Sequence, residues 1–294
     1  MKKTVLIIGA GRIGQAIGKI LEKKNIGAEF FDSDTSKAPD QKPLSETVPL
    51  TDLIFLCVPS WGMRAALKEI EPHVARNAIL IYLAKGLEEK SKKRVDELFL
   101  ELLPRHPHVL ISGPMLAEEL ANSLSGMGVC ASFNAAAISR VKNLFRDTNL
   151  VLEHSSDIRS IALAGVLKNI YAVGLGVADA LELGSNFKGW YVGQALMEME
   201  HIIKTLGGDG AAAYSCAGLG DLIATGFSPH SRNRGVGESL IKEGRVQKGE
   251  GVVSLPSVLE MIDGEAGKFP LLQALKKVII EKKSARQIFS AVHA

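Results

Sequence analysis

Short, β-branched apolar runs recur through the first half of the chain, and helical spacing fills the gaps between several of them. The runs are Thr4 to Ile8, Ala28 to Phe31, Leu53 to Val58, Ala78 to Leu83, Val109 to Ser112, Gly128 to Ser132 and Leu150 to Glu153. Continuous apolar runs of this length, bounded by turn residues, predict buried strands. Strands that alternate with helices predict an α/β fold with a parallel, doubly wound sheet. Ligand loops in such a sheet leave the C-terminal ends of strands. Pro59-Ser60-Trp61, Lys85-Gly86 and Gly113-Pro114 stand at such ends.

Beyond residue 155 the period changes from strand to helix. Ile158 to Leu181, Trp190 to Leu206, Ser231 to Lys242, Ser257 to Asp263 and Pro270 to Lys277 all carry helical spacing. Two domains are therefore expected: a Rossmann-type unit over 1–155 and an all-α unit over 156–294. Ile161 to Ala178 is about as long as a membrane span, but Lys168 and Asn169 sit at its centre. A central lysine costs about 3 kcal/mol on insertion scales, so a buried helix of a soluble protein is the better reading. The apolar start MKKTVLII breaks at Gly9-Ala10-Gly11 and is too short for a signal peptide.

Composition narrows the class. Apolar residues make up 46% of the 294 and charged residues 23%, which suits a soluble protein with a real core. The net charge of +3, without a basic stripe interleaved with aromatics, argues against nucleic acid. Cys57, Cys130 and Cys216 are odd in number and far apart, as expected of reduced core residues in a cytoplasmic protein. His106-Pro107-His108 lacks a suitably spaced third ligand and reads as a surface loop rather than a metal pair. The charged run Lys90 to Arg94 reads as a solvated helix face. No metal is required.

Candidate chemistry begins at Gly9-Ala10-Gly11-Arg12-Ile13-Gly14, between the first strand and a helix. In a dinucleotide fold Gly9 allows the tight turn, Gly11 lets the backbone approach a pyrophosphate, and Gly14 lets helix and strand pack closely. Asp32 lies 18 residues after Gly14, at the end of the second strand. A carboxylate there can accept bonds from the ribose hydroxyls and repel an added phosphate, which favours NAD over NADP. Asp34 could compete for that role.

In the second half, Lys168 is the only charged residue between Ser160 and Ala178. A lysine in an all-apolar helix is desolvated, so it needs a compensating anion or a lowered pKa. Catalytic and structural roles are both open on this ground alone. Asp221, between Gly220 and Leu222, could be the anion. Ser231 is placed to cap a helix whose first turn carries Arg232 and Asn233, a combination suited to a dianion.

These residues, taken in order, resemble the NAD(P)-dependent glycerol-3-phosphate dehydrogenases. GAGRIGQAIG, CVPS at Cys57 to Ser60, AKGLE at Ala84 to Glu88, SGPMLAEE at Ser112 to Glu119, LKN at Leu167 to Asn169 and GLGDLIATGFSPHSRN at Gly218 to Asn233 carry the likeness. It implies interconversion of glycerol 3-phosphate and dihydroxyacetone phosphate, supplying phospholipid synthesis. It assigns Lys168 as general acid and base, with Lys85 and Asp221 completing the catalytic set. Asn169, Thr225, Ser231, Arg232, Asn233 and Gly113 would bind substrate, Arg232 and Asn233 on its phosphate. Gly9, Gly11, Arg12, Ile13, Gly14, Asp32, Pro59, Ser60, Lys85, Ala117, Arg232 and Glu250 would bind cofactor. A homodimer through the helical domain is also implied.

The chain departs from the family's pattern at several points. Ala162 stands where an acidic residue is usual, Gln194 where bacterial members carry arginine, Met115 where GPS is commoner, and Gly226 after Thr225. The connection from Asp32 to Asp52 is short. Other enzymes of the superfamily, acting on 3-hydroxy acids, are the rival reading, but a carboxylate substrate would not need Arg232-Asn233. A non-catalytic NAD sensor is a second rival, and it would not need a proton donor at Lys168.

Overall fold

A computed structural model describes residues 5–292. Contacts divide the chain into two units: residues up to Glu88 with Lys93–Ala162, and Glu89–Lys92 with Leu163 onward. The boundary expected at residue 155 falls at the end of a strand, a few residues before this division.

The first unit alternates β1 (Val5–Ile8), α1 (Arg12–Glu22), β2 (Ala28–Phe31), α2 (Leu44–Thr47), β3 (Leu53–Leu56), α3 (Ser60–Ile70), β4 (Ile79–Tyr82), α4 (Val95–Leu102), β5 (His108–Ser112), α5 (Ala117–Ala121), β6 (Gly126–Ala131), α6 (Ala135–Phe145) and β7 (Leu150–Ser155). Its sheet has seven strands in the order β2-β1-β3-β4-β5-β6-β7. Each apolar run yields a strand, with ends that shift by up to two residues: β6 starts at Gly126 rather than Gly128, β7 runs on to Ser155, and β3 stops at Leu56. Thr4 lies outside the described residues. β1, β3 and β4 are buried at every position, as sheets covered on both faces require.

One expectation is corrected. β6 runs antiparallel to β5, and parallel order resumes with β7. A parallel crossover needs a helix that can span the strand it returns along. The 113–125 connection holds only the five residues of α5, which pack on α1 instead.

Two local readings also change. His108 is buried as the first residue of β5, stacked 5.1 Å from Phe99, and is not in a surface loop. Residues 89–91 form a turn rather than a helix, and Arg94 is buried against Asp96, its Nη2 2.9 Å from Oδ2. The backbone doubles back here, with Leu87 and Arg94 bridged, so the charged run is the tip of a loop.

The second unit is helical: α7 (Ile158–Ala180), α8 (Gly184–Thr205), α9 (Asp221–Phe227), α10 (Arg232–Lys242), α11 (Glu250–Met261), α12 (Pro270–Ile279) and α13 (Ala285–Ala291). α7 is long and apolar enough to cross a membrane, yet that stretch is wholly buried in the protein. α11 starts seven residues before the predicted Ser257, because Pro256 sits within the helix and interrupts its pattern. A single wide turn, Cys216–Gly220, leads into α9.

Candidate active site

In the first unit the glycine loop takes the conformation its residues predict. Gly9 has φ +101°, and a Cβ there would meet the Cys57 carbonyl carbon and oxygen at 2.8 Å. A Cβ on Gly14 would lie 2.0 Å from the Gly9 oxygen, so helix and turn touch backbone to backbone. Gly11 has open space around it. α1 begins there with no side-chain cap and no acid in its first turn. An uncapped, acid-free helix start facing open space fits a pyrophosphate.

Asp32 holds this loop. Its Oδ2 accepts from the Ala10 N–H at 2.8 Å, and its Oδ1 accepts from the Asp34 N–H at 2.9 Å. Each oxygen keeps a second lone pair for a ribose hydroxyl. Asp34 is turned away from this role. Its Oδ1 accepts from Ser36, and its Oδ2 lies 3.0 Å from Lys37, which together hold its carboxyl below the ordinary range.

Other predicted cofactor residues gather along the strand ends. Ile13 packs on the core of the unit. Arg12 pairs with Glu118, next to Ala117 at the start of α5. Pro59 precedes α3, and Ser60, its first residue, is buried. Lys85 Nζ donates to the Gly113 carbonyl oxygen at 2.9 Å, joining a predicted catalytic residue to a predicted substrate residue. The loop bearing Lys85 is tied down by Arg64, which sequence reasoning missed. Arg64 meets Glu88 at 2.5 and 2.9 Å and Glu101 at 2.6 and 2.9 Å.

In the second unit Lys168 is 4% exposed in the middle of α7. Its Nζ lies 3.0 Å from Asp221 Oδ2 and donates to Thr225 Oγ1 at 2.8 Å. Thr225 in turn donates to Asp221 Oδ1 at 3.0 Å. Asp221 and Thr225 are one turn apart on α9, so both face Lys168. The wide turn before α9 makes this approach possible: a Cβ on Gly218 would meet the Ala213 oxygen at 2.2 Å. A buried cation, a buried anion and a bridging hydroxyl thus satisfy one another, as buried charge requires.

Beside this cluster Asn233 Nδ2 donates to Asn169 Oδ1 at 2.7 Å, and the Gly251 N–H donates to Asn233 Oδ1 at 3.2 Å. Glu250, the first residue of α11, is therefore adjacent to the first turn of α10. Ser231 caps α10 as predicted, accepting from the Arg234 N–H at 3.2 Å. Arg232 is exposed and, among the described residues, pairs with no carboxylate. No group of three His, Cys, Asp or Glu is placed to hold a metal among the described residues.

Comparison with known proteins identifies the family. Residues 37–138 match the family model described as the NAD-dependent glycerol-3-phosphate dehydrogenase N-terminus, and 157–290 match that of its C-terminus. The glycerol-3-phosphate dehydrogenase [NAD(P)+] of Clostridium botulinum is 30% identical, over 96% of this chain and 94% of its own. The chain belongs to the NAD-dependent glycerol-3-phosphate dehydrogenase family. A second such enzyme, from Sphingopyxis alaskensis, is 32% identical over 84% of this chain and 76% of its own. The crystal structure of glycerol-3-phosphate dehydrogenase from Coxiella burnetii shares the fold, with a TM-score of 0.90 over 99% of both chains at 24% identity.

Some of the departures from the dehydrogenase pattern have local explanations. Leu175 fills the space at Gly226, where a Cβ would meet its Cδ1 at 2.1 Å. Met115 is buried against Gly128. Gln194 is half-buried on α8, one turn before the buried Glu198. Ala162 is buried, and nothing in the structure explains the loss of an acid there.

Proposed function

We propose that this chain transfers hydride between NAD(H) and the glycerol 3-phosphate/dihydroxyacetone phosphate pair. The observation that carries this reading is the buried Lys168–Asp221–Thr225 cluster beside an acid-free helix start bearing Arg232 and Asn233. A ketone that gains hydride builds negative charge on its oxygen. Lys168 stabilises that charge and delivers the proton, and it takes the proton back in the reverse direction. Asp221 and Thr225 aim the ammonium. Ser231, Arg232 and Asn233 receive the phosphate dianion at the α10 N-terminus. Asn169, Lys85 and Gly113 contribute further substrate contacts.

The bound dinucleotide supplies the hydride. Gly9, Gly11, Arg12, Ile13 and Gly14 would form the loop that receives its pyrophosphate, and Asp32 would take its adenosine ribose, which favours NAD over NADP. Pro59, Ser60, Ala117, Arg232 and Glu250 complete the cofactor contacts. Three cysteines, odd in number and far apart in the sequence, support a reducing, cytoplasmic setting. A homodimer and a role in supplying phospholipid synthesis belong to the same reading.

The test is an absorbance assay of NADH and NADPH with dihydroxyacetone phosphate. Turnover is expected with NADH, much less with NADPH, and a loss of about 10²- to 10⁴-fold in Lys168→Ala. Tight NADH binding without turnover would overturn the substrate assignment and direct attention to 3-hydroxy acids.

A further inference from the structure

Glycines bring the backbones of α7 and α10 together at two points. A Cβ on Gly176 would lie 1.9 Å from the Arg234 carbonyl oxygen, and one on Gly237 would lie 2.0 Å from that of Val173. These interlocked glycines set how deeply α10 sits on α7. They leave its roll about its own axis to side chains.

Two bonds supply that constraint. The first is Asn233 Nδ2 to Asn169 Oδ1, next to Lys168. The second is farther along α7, where Arg234 Nε donates to Asp179 Oδ2 at 2.8 Å. Asp179 is eleven residues beyond Lys168. That is about three turns and about 16 Å along one face of the helix. One neutral bond at one end acts as a pivot, and a charge-assisted bond at the other end stops rotation about it.

Asp179 is well placed to do so. Its Oδ1 accepts from Lys188 Nζ of α8 at 2.7 Å. Burial pushes its carboxyl up, but the bonds from Lys188 and Arg234 outweigh this and hold it below the ordinary carboxylate range. Arg234 is braced in turn by Glu238, one turn on, at 2.8 Å. Arg232 lacks any such partner among the described residues, so its aim depends on the backbone that carries it.

We propose that Asp179 and Arg234 are positioning residues for phosphate recognition: their ion pair fixes the first turn of α10, and with it Arg232, relative to Lys168. This rests on the reading of Arg232 and Asn233 as the phosphate grip. Neither Asp179 nor Arg234 touches substrate. Displacements of about 1 Å at a positioning group can cost on the order of 10²-fold in rate.

The experiment is a double-mutant cycle on steady-state kinetics with dihydroxyacetone phosphate. Asp179→Asn is expected to raise KM about tenfold and to lower kcat by less, the scale of one lost charge-assisted bond. Arg234→Gln breaks the same pair from the other side and should match it. In an Arg232→Ala background, adding Asp179→Asn should change KM less than about twofold, because the group it positions is gone. A merely structural role would lower the melting temperature and leave KM unmoved, which overturns the inference. So would a KM increase that persists undiminished without Arg232. Failure of the wild type to turn over dihydroxyacetone phosphate is a different result, and it removes the substrate reading together with this one.

Discussion

Single residues in the nucleotide loop do different work, and substitutions should separate them. Gly11 has an extended backbone that any residue adopts (φ −73°, ψ −174°) and nothing within 4 Å of a built Cβ. Gly14 has a carbonyl oxygen where its Cβ would go. Gly11→Val is therefore expected to melt like wild type and to lose NADH binding, because only the approaching pyrophosphate meets the new side chain. Gly14→Ala should destabilise the fold by about 1–3 kcal/mol, the usual range for overpacking. Thermal denaturation with and without NADH checks both, and equal melting of the two variants would contradict the assignment. At this scale Lys168 was legible beforehand, because one charge in an all-apolar helix needs a reason. Asp179 and Arg234 were not, since a charged residue near a helix end is ordinary until its partner is known.

One buried carboxylate joins three helices of the second unit. Glu198 of α8 is 2% exposed. Its Oε1 accepts from the Leu271 N–H at 2.7 Å, and its Oε2 accepts from the Leu272 N–H at 3.0 Å and from the Tyr171 hydroxyl at 2.8 Å. It therefore caps the start of α12, where Pro270 supplies no donor, and ties that start to α7. Burial pushes its carboxyl above the ordinary range despite these bonds. A raised folded-state value means the native protein binds the proton more tightly than the unfolded chain. This group's contribution to stability is full below its unfolded value and fades as pH rises through the folded one. Glu198→Gln keeps one acceptor and loses the other, costing about 1–3 kcal/mol. Since Gln removes the titration, the loss should be larger near pH 5 than near pH 8, read from urea midpoints; a loss that grows with pH would refute it. Sequence patterns placed most strands and the long helices within a few residues. They could not reveal that β6 reverses, because an apolar run carries no direction. α9 also escaped, since its glycine-rich lead-in reads as a loop.

The whole chain carries two tryptophans, and contacts place Trp61 in the first unit and Trp190 in the second. Trp190→Phe and Trp61→Phe variants would make each unit report its own unfolding by fluorescence. A ligand stabilises what it binds, by about 2.7 kcal/mol at a hundred times its Kd. With the glycine loop in the first unit, NADH is expected to move the Trp61 transition further than the Trp190 transition. Equal shifts would show instead that the units unfold together. Overall class was readable because the strand–helix alternation and the later helical period are long-range patterns that no single substitution disturbs.

Asp32 imposes a limit on any attempt to re-engineer cofactor choice. The carboxylate expected to select the ribose also fastens the loop that receives the pyrophosphate, through Ala10, and the turn that follows, through Asp34. Swapping it for a small neutral residue to admit a phosphorylated ribose would unlatch both at once. Such a variant would trade discrimination for a loosened entrance. A workable redesign has to supply replacement acceptors for two backbone N–H groups before it supplies a cation.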